Sequence, residues 1–266
     1  MAHISQNRSS TIPEIIKLID IRGKRFMNVY ELLKKEMNEL IKKNRLESDE
    51  VIITARPLSP EEAIGNPEDK DYPLIVGRER MMQAEFRGTY GQAYTDMYGN
   101  YKSKLIDIVN MELKNNFRRA IFISTLNAVM RHLNLIDKSM HCKDNEPRDC
   151  STKLVEYVKE KYGQPKIAIV GLQPRMVENL GKNFEIRVTD MDIASINTTK
   201  FGVGIQGPEM TASHLEWCDM ALVTGSTIVN NTIGNFMIDK PVIFYGITIS
   251  GAAKILGLES YCYCGT

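Results

Sequence analysis

Three apolar runs in the C-terminal half each stop at a glycine and pass into polar or helix-forming residues. They are Lys166-Ile-Ala-Ile-Val-Gly171, Met220-Ala-Leu-Val-Thr-Gly225 and Val242-Ile-Phe-Tyr-Gly246. A short run that is apolar throughout is how a strand reads when helices cover both of its faces. Repeated strand–glycine–helix units imply a mainly parallel sheet, whose ligands gather where the carboxyl ends of the strands open. The spacing predicts strands at 166–170, 184–189, 220–224 and 241–245, with helices near 174–181, 228–237 and 250–256.

The N-terminal half has a different grain. Asn28 followed by Glu31 reads as a capping box, and Val29, Leu32, Leu33, Met37, Leu40 and Ile41 continue at helical spacing to about Asn44. Val51–Ala55 reads as a strand. The stretch Arg56–Pro73 holds four prolines and reads as a long loop, interrupted by one helical turn that Ser59-Pro60-Glu61-Glu62 would start. Leu74–Gly77, Met81–Phe86 and Gln92–Thr95 look like further strands, and Ser103 could cap a helix running through Leu113. Ala120–Met130 is apolar almost all round, as a buried helix is. A boundary follows near Leu135, and Glu146-Pro147 opens a helix to about Tyr162. The expectation is an α+β domain over 1–135 followed by an α/β domain over 136–266.

At 266 residues, with 43% hydrophobic and 25% charged residues, the chain has ample material for a core. A formal net charge of +1 supplies no global pull toward nucleic acid or an anionic membrane. No apolar stretch approaches the roughly 20 residues that span a bilayer, and the polar start has no signal-peptide core. A cytoplasmic protein is expected, with no nucleic-acid or membrane partner; a homo-oligomer stays open. Five cysteines, an odd number, argue against a disulfide framework in a reducing compartment.

Three constellations could carry chemistry. Gly171 stands alone where a dinucleotide site wants Gly-x-Gly-x-x-Gly, although Asp190 lies where an acid would hold a ribose hydroxyl. The plainer reading makes Gly171 a turn and Asp190 a loop cap. Thr224, Ser226, Thr227, Asn230 and Thr232 place hydroxyls and amides near a helix start, suited either to an anion or to ordinary capping. His141, Cys142, Cys150, Cys262 and Cys264 amount to four thiols and an imidazole, a donor set for a soft metal ion if the C-terminal tail folds back. Their spacings match no standard zinc half-site, and buried thiols can be plain small hydrophobes. Cys218 reads as core, His214 as surface, and Asn127 as a buried polar residue that could line a cleft. No Ser/His/Asp set or acid pair marks a reaction, so catalysis stays undecided.

Asp219-Met-Ala-Leu-Val-Thr-Gly-Ser-Thr-Ile-Val-Asn-Asn-Thr-Ile233 and Pro241-Val-Ile-Phe-Tyr-Gly-Ile-Thr-Ile-Ser-Gly251 resemble the heavy-metal-chelation family, with Asn231 where that family usually has glycine. Ala84–Thr95 and Thr125–Ala128 are similar to its N-terminal companion. The resemblance implies an enolase-N-like domain followed by a Rossmann-like domain, with a site in the cleft between them. Carried over, that cleft would draw on Gln173, Asp190, Thr224, Gly225, Ser226, Asn230, Thr232, Gly246 and Thr248, with Gln92 and Asn127 from the N-terminal side. The function expected is binding of a metal ion, or of a metal-bearing or anionic small molecule. The alternative is an enzyme using a nucleotide or S-adenosylmethionine.

Overall fold

The computed structural model describes residues 28–54, 58–77 and 79–266. The readings that fell on the start of the chain and on 55–57 lie outside the described residues. The elements run α1 (Val29–Asn44), β1 (Glu50–Thr54), α2 (Pro60–Ile64), α3 (Pro73–Val76), β2 (Arg80–Phe86), β3 (Thr89–Thr95), β4 (Tyr101–Lys104), α4 (Leu105–Asn110) and α5 (Asn116–His132). They continue with α6 (Glu146–Tyr162), β5 (Ile167–Val170), α7 (Pro174–Gly181), β6 (Ile186–Thr189), β7 (Thr199–Lys200), β8 (Val203–Gln206), α8 (Thr211–Trp217), β9 (Met220–Thr224), β10 (Val242–Tyr245), α9 (Ser250–Leu256) and β11 (Ser260–Tyr261). No described helix is long and apolar enough to cross a membrane.

The first four strands form an antiparallel sheet in the order β3-β2-β1-β4. The rest form a sheet in the order β11-β10-β9-β5-β6-β8-β7, parallel except for the short edge strand β7. The chain leaves β5 toward β6 and β8, then returns to the other side of β5 with β9. The reversal puts a switch point between β5 and β9, where open parallel sheets take ligands at their carboxyl ends.

The two faces of the parallel sheet serve different cores. Ile167, Ile169, Leu222 and Ile243 pack with Leu154 and Val158 of α6 and Val177 and Leu180 of α7. On the opposite face Ala168, Ala221, Val223 and Phe244 join a core that also holds Leu33 and Met37 of α1, Met82 and Phe86 of β2, and most of α5. Every residue from Ala120 to Met130 is buried, since α5 is covered on one side by the antiparallel sheet and on the other by α9. Gly91 makes that approach possible: a Cβ there would lie 2.2 Å from the Ala128 nitrogen and 2.4 Å from the Ser124 oxygen.

Local signals explain the element ends. Both capping boxes form, Asn28 with Glu31 and Ser59 with Glu62. Four expectations need correction. Leu74–Val76 is a helical turn, an apolar run too short for its period to distinguish it from a strand. Ser103 lies in β4 and its hydroxyl bonds Asp107 (3.3 Å), leaving α4 without a side-chain cap. His214 is buried, with Nε2 2.6 Å from Gln206 Oε1 and Nδ1 without a partner among the described residues. The helix expected at 228–237 is absent.

Candidate functional site

At the carboxyl end of β5, Gly171 adopts φ +96°, and a Cβ there would meet Tyr245 Oη and Thr224 Cγ2, each at 2.8 Å. Only glycine fits both the backbone and the space. Tyr245 Oη donates to the Gly171 carbonyl at 2.7 Å. The next amide, Leu172 N–H, donates to the Asp190 carboxylate, which also accepts from Asp192 N–H at 2.7 Å. Gln173 caps α7 by accepting from Met176 N–H at 2.6 Å. The loop thus directs its free amide at a carboxylate, the reverse of what a pyrophosphate requires.

The loop after β9 is built of turns. Residues Gly225–Thr227 and Ile233–Phe236 form 3₁₀ segments. The Ile228 and Val229 carbonyls, which a helix would need as acceptors, are taken by Tyr30 Oη and by Arg119 Nε (2.6 Å) from the N-terminal half. The polar groups satisfy one another: Thr224 Oγ1 and Ser226 Oγ are 3.1 Å apart, and Thr227 Oγ1 donates to the Thr224 carbonyl at 2.8 Å. Thr232 Oγ1 donates to the Thr227 carbonyl (3.4 Å), and Asn230 Oδ1 accepts from Asn116 Nδ2 (3.2 Å). Asn231 has φ +57°, a conformation asparagine tolerates better than most residues, so it turns the chain as glycine would. Gly225 packs against Ile249, while Gly246 has φ +89° and its N–H bonds the Tyr261 carbonyl at 3.0 Å.

The remaining expected cleft residues bind the halves together. Asn127 Nδ2 donates toward the Gln92, Ile247 and Thr248 carbonyls at 3.0–3.3 Å, and its Oδ1 accepts from Gly251 N–H at 2.8 Å. Thr248 Oγ1 accepts from Tyr94 N–H at 3.0 Å. Gln92 donates to Gln83 Oε1 at 2.8 Å and accepts from His141 N–H at 2.7 Å. These side chains have their hydrogen bonds already in use across the two halves.

Sequence reasoning missed Glu79. It stands in the loop before β2, near Asp190, Asp96 and Asp192, and no hydrogen bond to its carboxylate is found among the described residues. Burial, with the charges of Asp190, Asp96 and Asp192, pushes its carboxyl up to about 7. No periodicity or motif marks it; only the return of the loop onto the strand ends reveals it. The clamp that returns the loop is basic. Arg148 meets Asp69 through two bonds of 2.8 and 2.9 Å, and the buried Arg175 meets Asp71 at 2.8 Å and Asp69 at 3.4 Å.

The thiols come together because the tail does fold back. Thr266 pairs with 139–140 through three backbone bonds of 2.7–3.1 Å, and Lys138 Nζ donates to the Cys262 and Tyr263 carbonyls at 2.7 and 2.6 Å. Burial raises the Cys142 and Cys150 thiols, and Cys142 further feels Cys262, Cys150 and Cys264. Cys262 is pushed up to about 12 and Cys264 to about 11, burial first and Cys150 next. Backbone amides oppose this: those of Tyr263 and Cys264 face the Cys150 sulfur, and that of Gly265 faces Cys262. His141 Nδ1 lies 2.6 Å from the Cys142 carbonyl, an arrangement that makes Nδ1 the protonated nitrogen and leaves Nε2 as the free donor atom. All five cysteines are free. As the side chains stand, no three His, Cys, Asp or Glu among the described residues surround one point.

Residues 153–256 match the family model DUF364, described as "Putative heavy-metal chelation". A solved structure of a DUF364 protein of unknown function from Pyrococcus horikoshii is similar to this chain at 17% identity and TM-score 0.53, over 83% of this chain and 79% of that one. Another of unknown function, from Desulfitobacterium hafniense DCB-2, shares 11% identity over 66% of this chain and 72% of that one, with TM-score 0.46. No curated protein matches. The family resemblance read from the motifs is borne out over 153–256, and the first likeness is one of fold.

Proposed function

We propose that this protein binds a thiophilic metal ion where its two halves meet, with His141, Cys142, Cys150, Cys262 and Cys264 as the donor set. One observation carries the reading: the returning tail brings Cys262 and Cys264 near Cys142 and Cys150, so that the Cys142 thiol feels the other three. Burial raises all four thiols, so the ion itself would have to displace their protons on binding. The set fits a soft ion in the chemistry of its donors. The family description supports a metal as ligand. In this reading 1–135 is an enolase-N-like domain, 136–266 a Rossmann-like one, and the setting is a reducing cytoplasm that keeps the thiols free.

The rival reading, an enzyme using a nucleotide or S-adenosylmethionine, has one observation in its favour: a carboxyl near neutrality in the cleft is suited to moving a proton. The engaged Leu172 amide and the crowded Gly171 weigh against a phosphate-bearing cofactor.

Metal analysis of protein purified anaerobically, beside a variant with Cys142, Cys150, Cys262 and Cys264 all changed to Ser, tests the proposal. Bound metal, and a sulfur-to-metal absorption band on Co²⁺ loading, are expected for the parent and for C218S, whose thiol lies elsewhere in the core. Equal metal content in the parent and the four-Ser variant would sink the thiolate role.

A further inference from the structure

A concavity lies beside the tail, lined by none of the residues at the carboxyl ends of β5 and β9. It is an open groove of about 680 Å³ between the end of α5, α9 and the residues around Cys262. Arg131, Lys138 and Lys254 line it, with Asp137 the one acid among the lining residues. Elsewhere the protein pairs many surface cations: Arg87 with Asp49, Lys153 with Glu156, Lys161 with Glu259, Lys182 with Glu178. In the groove none of the three has a carboxylate partner among the described residues. Lys138 is spent on holding the tail carbonyls, yet its positive charge is not neutralised there. The side chains of Arg131 and Lys254 make no hydrogen bond or ion pair among the described residues.

The walls decide what sort of anion fits. Leu135, Ile136 and Leu258 form an apolar side, Tyr263 is half exposed over Lys138 at 5.8 Å, and Ser250 and Ser260 add hydroxyls. A bare inorganic anion would leave the apolar walls wet. A carbon skeleton bearing two or three carboxylates would cover the walls and reach separate cations, with the Arg131 guanidinium available for a bidentate contact. We infer that this groove is a binding site for a small organic polycarboxylate, held by Arg131, Lys138 and Lys254. Its position against Cys262 would bring a carboxylate-chelated ion next to the thiols, a link that rests on the metal reading; the groove's own binding does not.

Calorimetry on the full chain, in buffer stripped of metal by resin rather than by a carboxylate chelator, tests the inference with citrate and with inorganic phosphate. Citrate is expected to bind, more weakly as salt rises. The R131Q/K254Q variant, which leaves the Lys138 contacts to the tail intact, should raise the citrate dissociation constant about tenfold or more. C142S, whose thiol does not line the groove, should bind citrate as the parent does even if it takes up no metal, so the two readings fail separately. No heat with citrate, an unchanged constant in R131Q/K254Q, phosphate binding as tightly as citrate, or loss of citrate binding in folded C142S would each overturn it.

Discussion

Asn127 joins β3, the turn before α9 and α9 itself through one fully buried side chain. Removing it leaves the Gly251 amide and three carbonyls to find partners inside the protein. Asn127→Ala is therefore expected to destabilise by about 2–4 kcal/mol, measured by denaturant unfolding. Glu79 acts in the opposite sense. Its folded value near 7 stands above the ordinary carboxylate range, so the stability tied to it is full below about pH 4 and declines as pH rises through 7. Glu79→Gln should leave stability at pH 4 unchanged and raise it at pH 8 by about 2 kcal/mol, after allowance for partial exposure. Equal effects at both pH values would show the carboxyl to be ordinary. Asn127 was legible as a polar residue on an apolar helix. Glu79 was not, because its environment is made by residues far away in sequence.

At the level of elements, the strands before glycines and the capping boxes were readable because each depends on a few neighbouring residues. The loop at 225–236 was not. Its side chains suit a helix start, but Tyr30 and Arg119 claim the carbonyls, and a long-range contact outranks local propensity. The tail was half readable: the thiols were visible, while their meeting depends on Lys138 and the pairing of Thr266 with Met140. The loop before β2 is fastened by Arg175, whose side chain is 8% exposed among Asp69, Asp71 and Glu178. Arg175→Ala should cost about 3 kcal/mol and make the 58–77 loop the first site of limited proteolysis. An unchanged cleavage pattern would mean that Arg148 alone suffices as the clamp.

For the molecule as a whole, the decisive fact is that one core runs through both halves. Trp217, the single tryptophan, reports the parallel-sheet half, while circular dichroism at helical wavelengths reports the whole chain. The two signals should trace one unfolding transition; separated midpoints would mean that the halves hold together only loosely. The sequence shows a change of pattern near Leu135, yet it cannot show that α5 packs between the antiparallel sheet and α9. Cut there, each fragment would carry an uncovered apolar face into water, Ala221, Val223 and Phe244 on one side and much of α5 on the other. The C-terminal half is thus no portable module. A gene rearrangement that exported it alone would export an aggregation-prone surface, and selection has reason to keep the two halves in one reading frame.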